Sequence, residues 1–182
     1  MFDNKVDRKS INPRAYIFEK LISGMYLGEI TRNVLLNLID RVLLFNGHSS
    51  KELNGHYSFE TEYMSTIEAD DTDTLEDTRR ILEESLDLPS TTLTDRQIVK
   101  RICQIVGLRA ARLSSAALSA VVSHCNVLES GCNIGIDGSL FQFYPGFKDR
   151  IKTALKELFG SNADKIELNL ALDGSGVGAG NY

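Results

Sequence analysis

Apolar residues recur at helical spacing along most of the chain, and this pattern predicts a helix-rich protein. Residues 1–11 are polar and are expected to lead into a first helix. Asn12 and Pro13 predict its start, because Asn accepts hydrogen bonds from first-turn amides and Pro suits the first helical position. A second helix is expected to stop near Gly47, where glycine takes the left-handed cap. The predicted buried positions are Phe18, Leu21, Ile22 and Met25 in the first helix and Leu27, Ile30, Val34, Leu38 and Val42 in the second.

The segment after these helices is shorter and more polar. Residues 58–67 predict a strand or an irregular segment, and the acidic run at 69–73 is expected to be a solvated approach to a helix. Its acidic residues lack the glycine and the distant glutamate of an EF-hand, so a calcium site is not expected. Thr74 is expected to cap the next helix, which buries Leu75, Leu82 and Leu86 and ends before Pro89.

The longest helical pattern follows. Thr94 with Gln97 three residues later matches a capping box at its start. Arg109 and Arg112 lie within this helix and are expected to form ion pairs or helix-end contacts rather than to bind phosphate. The small residues at 114–120 should let another element pack closely. The predicted inward positions are Ile98, Ile102, Ile105, Val106, Leu113 and Val121.

The last third of the chain changes to a strand, a helix and a strand. Residues 134–136 predict a short buried strand, Phe147 begins a helix that ends at Gly160, and the alternation at 165–172 predicts a second strand. Such a unit has parallel strands joined by a right-handed crossover.

A glycine turn follows each of these strands. The turns are Asp137, Gly138 and Ser139 after the first strand, and Asp173, Gly174, Ser175 and Gly176 after the second. In a parallel sheet both turns lie at the edge where ligands bind, and glycine permits close backbone approach to an anionic group. The pattern leaves two interpretations open, a pair of ordinary tight turns or a nucleotide site.

Composition restricts the function classes. A chain of 182 residues with 42% hydrophobic and 25% charged residues fits one folded domain. Its formal charge of −5 argues against a general nucleic-acid binder. Cys103, Cys125 and Cys132 match no zinc pattern and are expected to be reduced thiols. Without an apolar signal region or a membrane-length apolar stretch, the expected location is the cytoplasm, with no membrane partner.

The block at residues 18–29, FEKLISGMYLGE, closely resembles a signature of the eukaryotic hexokinase and glucokinase family. The resemblance continues in the family's order through residues 58–61, 109–113, 136–139, 144–147 and 173–176, and it covers essentially the whole chain. The tract at 75–97 looks more like the fungal members. The resemblance implies an α/β fold of the ribonuclease-H-like, actin-like ATPase type. It also implies that residues 1–182 form the large C-terminal lobe, without the small N-terminal lobe and the final helix.

The resemblance also implies a chemistry. Family members transfer the terminal phosphoryl group of ATP, as its Mg²⁺ complex, to the 6-hydroxyl of a hexose, and an Asp accepts the hydroxyl proton. By position in the motif, Glu19 is expected to bind the sugar, and Glu29 to serve structure through a cap or an ion pair. The residues expected to approach ATP are Gly24, Met25, Thr61, Glu62, Tyr63, Met64, Ser65, Asp137, Gly138, Ser139, Leu140, Phe141, Gln142, Phe143, Gly174, Ser175 and Gly176. No protein metal ligand and no tightly bound cofactor are expected.

The 182 residues lack the family's Asp-Leu-Gly-Gly-Thr phosphate loop, its Thr-Lys sugar segment and its Asn-Asp-Thr segment with the catalytic Asp. The resemblance implies the function of a glucose 6-phosphotransferase of the first step of glycolysis. Because the segments named above are missing, this chain is expected to be a fragment without phosphotransfer activity of its own. The alternative is a truncated, non-catalytic protein that binds sugar or nucleotide, or regulates a hexokinase. An uncovered sheet is expected to favour self-association.

Overall fold

The computed structural model describes residues 2–171, and the chain divides into two compact units, Met1–Ala110 and Ala111–Tyr182. The first unit contains α1 (Phe2–Lys9), α2 (Ile17–Ile22), α3 (Gly24–Asp40), a 3₁₀ turn (Phe45–Gly47), α4 (Lys51–Asn54), α5 (Thr61–Ala69), α6 (Glu76–Arg80) and a π-helical turn (Ile81–Ser85). Helix α7 (Leu93–His124) begins in the first unit and ends in the second. The second unit continues with β1 (Cys132–Ile136), α8 (Ser139–Phe143), α9 (Phe147–Phe159), a 3₁₀ turn (Gly160–Lys165) and β2 (Ile166–Leu170).

The N-terminal helices begin elsewhere than the pattern predicts. Residues 2–9 form α1, with Val6 only 1% exposed, so the expected polar lead-in is wrong. The predicted helix start at Asn12 and Pro13 is also wrong. The carbonyl of Asn12 accepts hydrogen bonds from the backbone N–H of Ala15 at 3.2 Å and from Nζ of Lys20 at 2.6 Å, which closes a turn there instead. Helix α2 therefore begins only at Ile17.

Helix α3 ends earlier than expected. It stops at Asp40, where Val42 takes a left-handed conformation with φ 58° and donates its N–H to the carbonyl of Ile39. Gly47 is left-handed as predicted, but it lies in the following 3₁₀ turn. Several of the predicted inward positions are wrong: Phe18, Met25 and Val42 are exposed, and the buried apolar residues of α3 are Tyr26, Leu27, Ile30, Leu35 and Ile39. Charged residues also lie on the buried side of α3, and a prediction from apolar spacing alone does not detect them.

The segment at 58–67 is helical rather than extended. Helix α5 buries Met64 and Ile67, whose spacing of three residues suits a helix. The acidic run after α5 is not simply solvated, because Asp70 is only 2% exposed. Its carboxylate accepts hydrogen bonds from the backbone and hydroxyl of both Thr72 and Thr78. Asp70 thus satisfies backbone donors around the start of α6.

The capping residues of α6 and α7 lie two positions before the predicted ones. The hydroxyl of Thr72, not of Thr74, accepts the N–H of Glu76 at 2.8 Å. At α7 the reciprocal box joins Thr92 and Asp95, with the Thr92 hydroxyl accepting the Asp95 N–H at 3.1 Å and the Asp95 carboxylate accepting the Thr92 N–H at 3.0 Å. The predicted burial of Leu75, Leu82 and Leu86 and the end of that helix before Pro89 are confirmed.

Helix α7 is confirmed as the longest described element, but its buried side is shifted. Ile105 and Val121 are 52% and 62% exposed. The buried side is formed by Val99, Ile102, Cys103, Val106, Ala110, Ala111 and Val122, because small residues also face inward. By length and composition alone α7 is apolar enough to cross a membrane, yet it packs these residues away from solvent as the core helix of a folded protein does.

The second unit contains the predicted strand–helix–strand arrangement. Strands β1 and β2 pair in parallel, from Cys132 opposite Ile166 to Ile136 opposite Leu170. Strand β1 is half-exposed rather than buried, whereas Ile166 and Leu168 of β2 are buried. Helix α9 ends at Gly160, which has a φ of 58°, as expected for a glycine that stops a helix. The close packing expected along the small residues is also confirmed, since the hydroxyl of Ser115 donates to the carbonyl of Ile151 at 3.3 Å.

Candidate functional site

Glu19 lies on α2 with its side chain in solvent. Its backbone carbonyl accepts the N–H of Ser23 at 2.7 Å, which ends the helix. Among residues 2–171 its carboxylate has no hydrogen-bond or ion-pair partner. A carboxylate in this state has all its acceptor positions available to a ligand with hydroxyl donors.

The residue next to Glu19 has the opposite environment. Lys20 is 4% exposed, and its ammonium donates to Oδ1 of Asp7 at 2.7 Å and to the carbonyl of Asn12 at 2.6 Å. The same Asp7 carboxylate accepts the N–H of Arg14 at 3.0 and 3.2 Å. The hydrogen bonds from Lys20 and Arg14 hold the pKa of Asp7 below its ordinary value. Helix α2 is therefore joined to α1 and to the turn between them.

The predicted nucleotide segments of the first unit meet where α3 and α5 begin. The hydroxyl of Thr61 donates to the carbonyl of Gly24 and accepts the N–H of Gly28 at 2.9 Å. This contact requires glycine, because a Cβ at Gly28 would lie 2.1 Å from the carbonyl oxygen of Phe59. The structure thus brings Gly24 and Thr61 together, with Met25 exposed beside them.

The remaining residues of the α5 segment differ in their exposure. Glu62 is exposed, and Tyr63 and Ser65 are half-buried. The ring of Tyr63 packs edge-on against Phe59, with 5.9 Å between ring centroids. Met64 has no exposed surface, and its sulfur accepts the hydroxyl of Thr31 at 3.2 Å. The side chain of Met64 therefore packs in the core of the first unit, where it joins α5 to α3.

Glu29, the second glutamate of the FEKLISGMYLGE block, lies in a buried network on α3. Its oxygens accept Nε and Nη2 of Arg32, each at 2.6 Å, the backbone N–H of Tyr57 at 2.8 Å and Nδ2 of Asn33 at 3.0 Å. Burial disfavours the charged carboxylate, but the hydrogen bonds from Arg32 and Tyr57 outweigh it and lower the pKa of Glu29. The expected structural ion pair of Glu29 is confirmed.

Arg32 extends this network to the C-terminal end of α4. Its Nη1 donates to the carbonyl of Leu53 at 3.1 Å and to that of Asn54 at 3.3 Å. Together with the bond from Tyr57 to Glu29, these contacts fix the chain that leads into α5. Glu29 follows Gly28 directly in α3, so the network lies next to the contact of Gly28 with Thr61. It holds the starts of α3 and α5 in place.

The predicted nucleotide turn of the second unit follows the carboxyl end of β1. Asp137, Gly138 and Ser139 are exposed, and Gly138 has a φ of 144°, a conformation that suits glycine. Helix α8 begins at Ser139. Along it Leu140 is half-buried, Phe141 is buried, and Gln142 and Phe143 are exposed. Gly174, Ser175 and Gly176, predicted to form the corresponding turn after β2, lie outside the described residues.

Two of the arginines of α7, Arg109 and Arg112, form the expected ion pairs. Arg109 makes two hydrogen bonds to Asp3, at 2.8 and 3.0 Å, and Arg112 makes two to Glu157, at 2.5 and 3.1 Å. Neither guanidinium is therefore a free phosphate ligand. Within residues 2–171, no group of three or more His, Cys, Asp or Glu side chains is placed to hold a metal ion.

The sequence reasoning missed Asp7, Lys20 and Asp70. Lys20 and Asp7 are thirteen residues apart, so no helical spacing relates them. Asp70 lies in an acidic run, and the composition of such a run predicts exposure to solvent. The burial of Asp70 was therefore not predictable from composition. Arg32, in contrast, follows Glu29 by three residues, and this spacing is a recognisable ion-pair signal on a helix.

Comparison with known proteins identifies the family. The family model described as Hexokinase matches residues 1–181. Hexokinase-1 of Schizosaccharomyces pombe is 37% identical over 98% of this chain and 36% of its own length, and the hexokinase of Kluyveromyces lactis is 38% identical over 98% and 37%. A solved structure of the Schistosoma mansoni hexokinase, described as complexed with glucose, superposes with a TM-score of 0.89 at 34% identity.

The same structural match covers 98% of this chain and 40% of the solved chain. The expected fold class, a helix-rich α/β lobe of the actin-like ATPase type, is confirmed by this match. The chain spans between 36% and 40% of the lengths of these relatives. A family match over nearly all of the chain, supported by both sequence and structure, shows that the chain belongs to the hexokinase family.

Proposed function

We propose that this chain forms one wall of the active site of an ATP-dependent hexose 6-phosphotransferase, with Glu19 as its sugar ligand. The observation that carries the proposal is the contrast within the FEKLISGMYLGE block: Glu29 is saturated with protein donors, whereas Glu19 is exposed and has no partner among the described residues. Since the chain spans less than half of its relatives' length, the activity belongs to a larger protein in this proposal.

A hexose suits Glu19 chemically. A carboxylate accepts hydrogen bonds from two neighbouring hydroxyls at once, and bonds to a charged acceptor are stronger than neutral ones. The related hexokinase of Schistosoma mansoni is described as complexed with glucose, which supports a hexose as the ligand class. Glucose is therefore the probe of choice.

The residues proposed for the nucleotide in the first unit lie where α3 and α5 begin. They are Gly24, Met25 and Thr61, and amide groups at helix starts favour anionic ligands. We propose that these residues face Mg-ATP as substrate. By position in the motif, residues 137–139 and 174–176 of the second unit are also expected to contact ATP.

Phosphoryl transfer depends on positioning and on stabilisation of charge in the transition state. The 182 residues contain no segment of the family type that bears the catalytic Asp, and no phosphate loop. On this proposal the chain binds ligands weakly and does not catalyse transfer by itself. A coupled assay with glucose and ATP tests this, and measurable turnover by the purified chain would contradict it.

Glu19→Gln tests the sugar role directly. The variant should bind glucose about tenfold more weakly or worse, because a hydrogen bond to a charged group is lost, and should bind ATP as before. Glu52→Gln is the matched control, an exposed glutamate on α4 of the same unit. Binding of both ligands is followed by NMR titration. Equal losses for glucose and ATP, or no loss for glucose, would refute the assignment.

A mixing experiment separates the enzyme lobe from a regulatory protein that has lost catalysis. The specific observation in favour of the regulatory reading is the lack of the base-bearing segment in these residues. Either protein would bind glucose. Restored turnover on mixing the chain with a separately produced small lobe is expected only for the enzyme lobe.

A further inference from the structure

Helix α2, which carries Glu19, is too short to stabilise itself. It contains six residues, and Tyr16 before it is left-handed and provides no side-chain cap. Isolated helices of fewer than about 12 residues are marginal in water. The orientation of α2, and with it the direction of Glu19, must therefore come from contacts with other elements.

The buried ammonium of Lys20 provides one such contact. Its two charge-assisted hydrogen bonds run to Asp7 on α1 and to the carbonyl of Asn12 in the turn. Successive residues of a helix are about 100° apart around its axis. Holding Lys20 inward therefore fixes the rotation of α2 and leaves Glu19 directed to solvent.

Helix α1 is itself a fixed support for this contact. Val6 is 1% exposed, and this packing anchors the helix. The ion pair of Asp3 with Arg109 at the start of α1 is more than one-third exposed and adds little to that support. Asp7 also accepts the N–H of Arg14, so a single carboxylate ties together α1, the turn and α2. Lys20 and Asp7 expose only 5% and 16% of their side chains, so water competes weakly for their bonds.

We propose that Asp7 and Lys20 are positioning residues of the hexose site, which hold α2 in the rotation that presents Glu19 to the sugar. This inference rests on the proposed sugar role of Glu19. Neither residue touches the sugar in this proposal. Their effect passes through the backbone of α2, whereas the contact of Thr61 with Gly24 joins α5 to the start of α3.

The test compares Asp7→Asn with Asp3→Asn in the full chain. Both variants remove one carboxylate charge and one ion pair from α1, but only Asp7 contacts α2. Asp7→Asn should weaken glucose binding roughly tenfold and leave ATP binding unchanged, because a charge-assisted bond to a buried lysine is lost. Asp3→Asn should change neither affinity.

Hydrogen exchange gives a second measurement that needs no ligand. In Asp7→Asn the amides of α2 should exchange faster than in the parent chain, while those of α5 stay protected. Unchanged exchange in α2 would overturn the inference. So would a loss of glucose and ATP affinity by the same factor, or the same result from Asp3→Asn, because each would indicate a general loss of stability.

Glu19→Gln in parallel distinguishes the two failures. If Glu19→Gln leaves glucose affinity unchanged while Asp7→Asn speeds exchange in α2, the proposed sugar role fails and the support of α2 stands. If Glu19→Gln weakens glucose binding and Asp7→Asn does not, the sugar role stands and the positioning role is refuted.

Discussion

Two glutamates of the same twelve-residue block have opposite environments. Glu29 is 2% exposed and accepts hydrogen bonds from Arg32, Asn33 and Tyr57. Glu19 is exposed on a six-residue helix, and its carboxylate has no partner in residues 2–171. The difference teaches that burial and saturation of acceptors, rather than membership of a motif, separate a structural carboxylate from a candidate ligand.

Three other residues of the block depart from the usual distribution of side chains, whereas Tyr26 and Leu27 are buried as apolar residues usually are. Phe18 and Met25 are 44% and 57% exposed, whereas Lys20 is 4% exposed. Charged residues are seldom buried unless they are paired. Departures of this kind from the usual pattern are expected at functional or strained sites.

The largest effect that can test this comparison is the removal of Glu29. Glu29→Ala should lower the free energy of unfolding of the first unit by about 3–5 kcal/mol, because it leaves the buried Arg32 without its partner. Urea unfolding followed by circular dichroism measures it. A loss below about 1 kcal/mol would place Glu29 with ordinary surface residues and remove the contrast.

A double variant shows whether the loss comes from the unpaired charge. Glu29→Leu with Arg32→Met replaces the ion pair by apolar groups and should be more stable than Glu29→Ala. It still loses the bonds from Arg32 to Leu53 and Asn54, so recovery of the parent stability is not expected. A double variant less stable than Glu29→Ala would show that those carbonyl contacts dominate.

The next effect concerns the contact of Gly28 with Thr61, next to the Glu29 network. Gly28→Ala would place a methyl group 2.1 Å from the carbonyl oxygen of Phe59, so α3 and the start of α5 must move apart. We expect a loss of about 1–3 kcal/mol, the usual cost of overpacking. Thermal unfolding measures this loss. Gly135→Ala is the control, because its methyl group would make an ordinary 3.5 Å contact with Ala171.

A smaller effect follows from the lowered pKa of Glu29. In the folded chain this carboxylate stays ionised below the ordinary value of 4.5, so the unfolded chain binds more protons as the pH falls. The stabilisation is therefore complete above pH 4.5 and is lost as the pH falls through the folded pKa. Urea unfolding over this range should show a smaller loss in the Glu29→Leu, Arg32→Met variant than in the parent chain.

The comparison of these two proteins isolates Glu29 from other carboxylates. Asp7 and Asp70 also have lowered pKa values, and both are present in the parent and in the double variant. Their contributions therefore cancel in the difference. Identical pH dependence of the two proteins would show that Glu29 titrates alike in the folded and unfolded chains.

Elements with a regular apolar spacing were predictable from the sequence, and elements without one were not. Helices α7 and α9 and strand β2 show sustained apolar spacing, because each packs one side over many residues. Helices α2 and α5 have too few residues to show a sustained apolar spacing, and tertiary contacts stabilise them. The capping box of α7 was misplaced by two residues, because both Thr92 and Thr94 precede an acceptor at the same spacing.

The candidate site shows the same limit. By position in the motif, the sequence predicted a sugar role for Glu19 and a structural role for Glu29, and it could not predict the partners of Glu29. The contact of Thr61 with Gly24 joins residues 37 apart, and that of Lys20 with Asp7 joins residues 13 apart. Such pairs cannot be predicted from spacing along the chain, so only the folded structure shows the contact of α2 with Asp7.

The smallest predicted effect on stability belongs to Glu19. Because its carboxylate is exposed and makes no bond within residues 2–171, Glu19→Ala should change the free energy of unfolding by less than about 0.5 kcal/mol. Urea unfolding beside Glu29→Ala measures both under one set of conditions. A loss above about 1 kcal/mol would mean that Glu19 has a structural partner in the folded chain. Near-zero cost, together with a loss of glucose affinity, is the combination expected of a ligand-binding carboxylate.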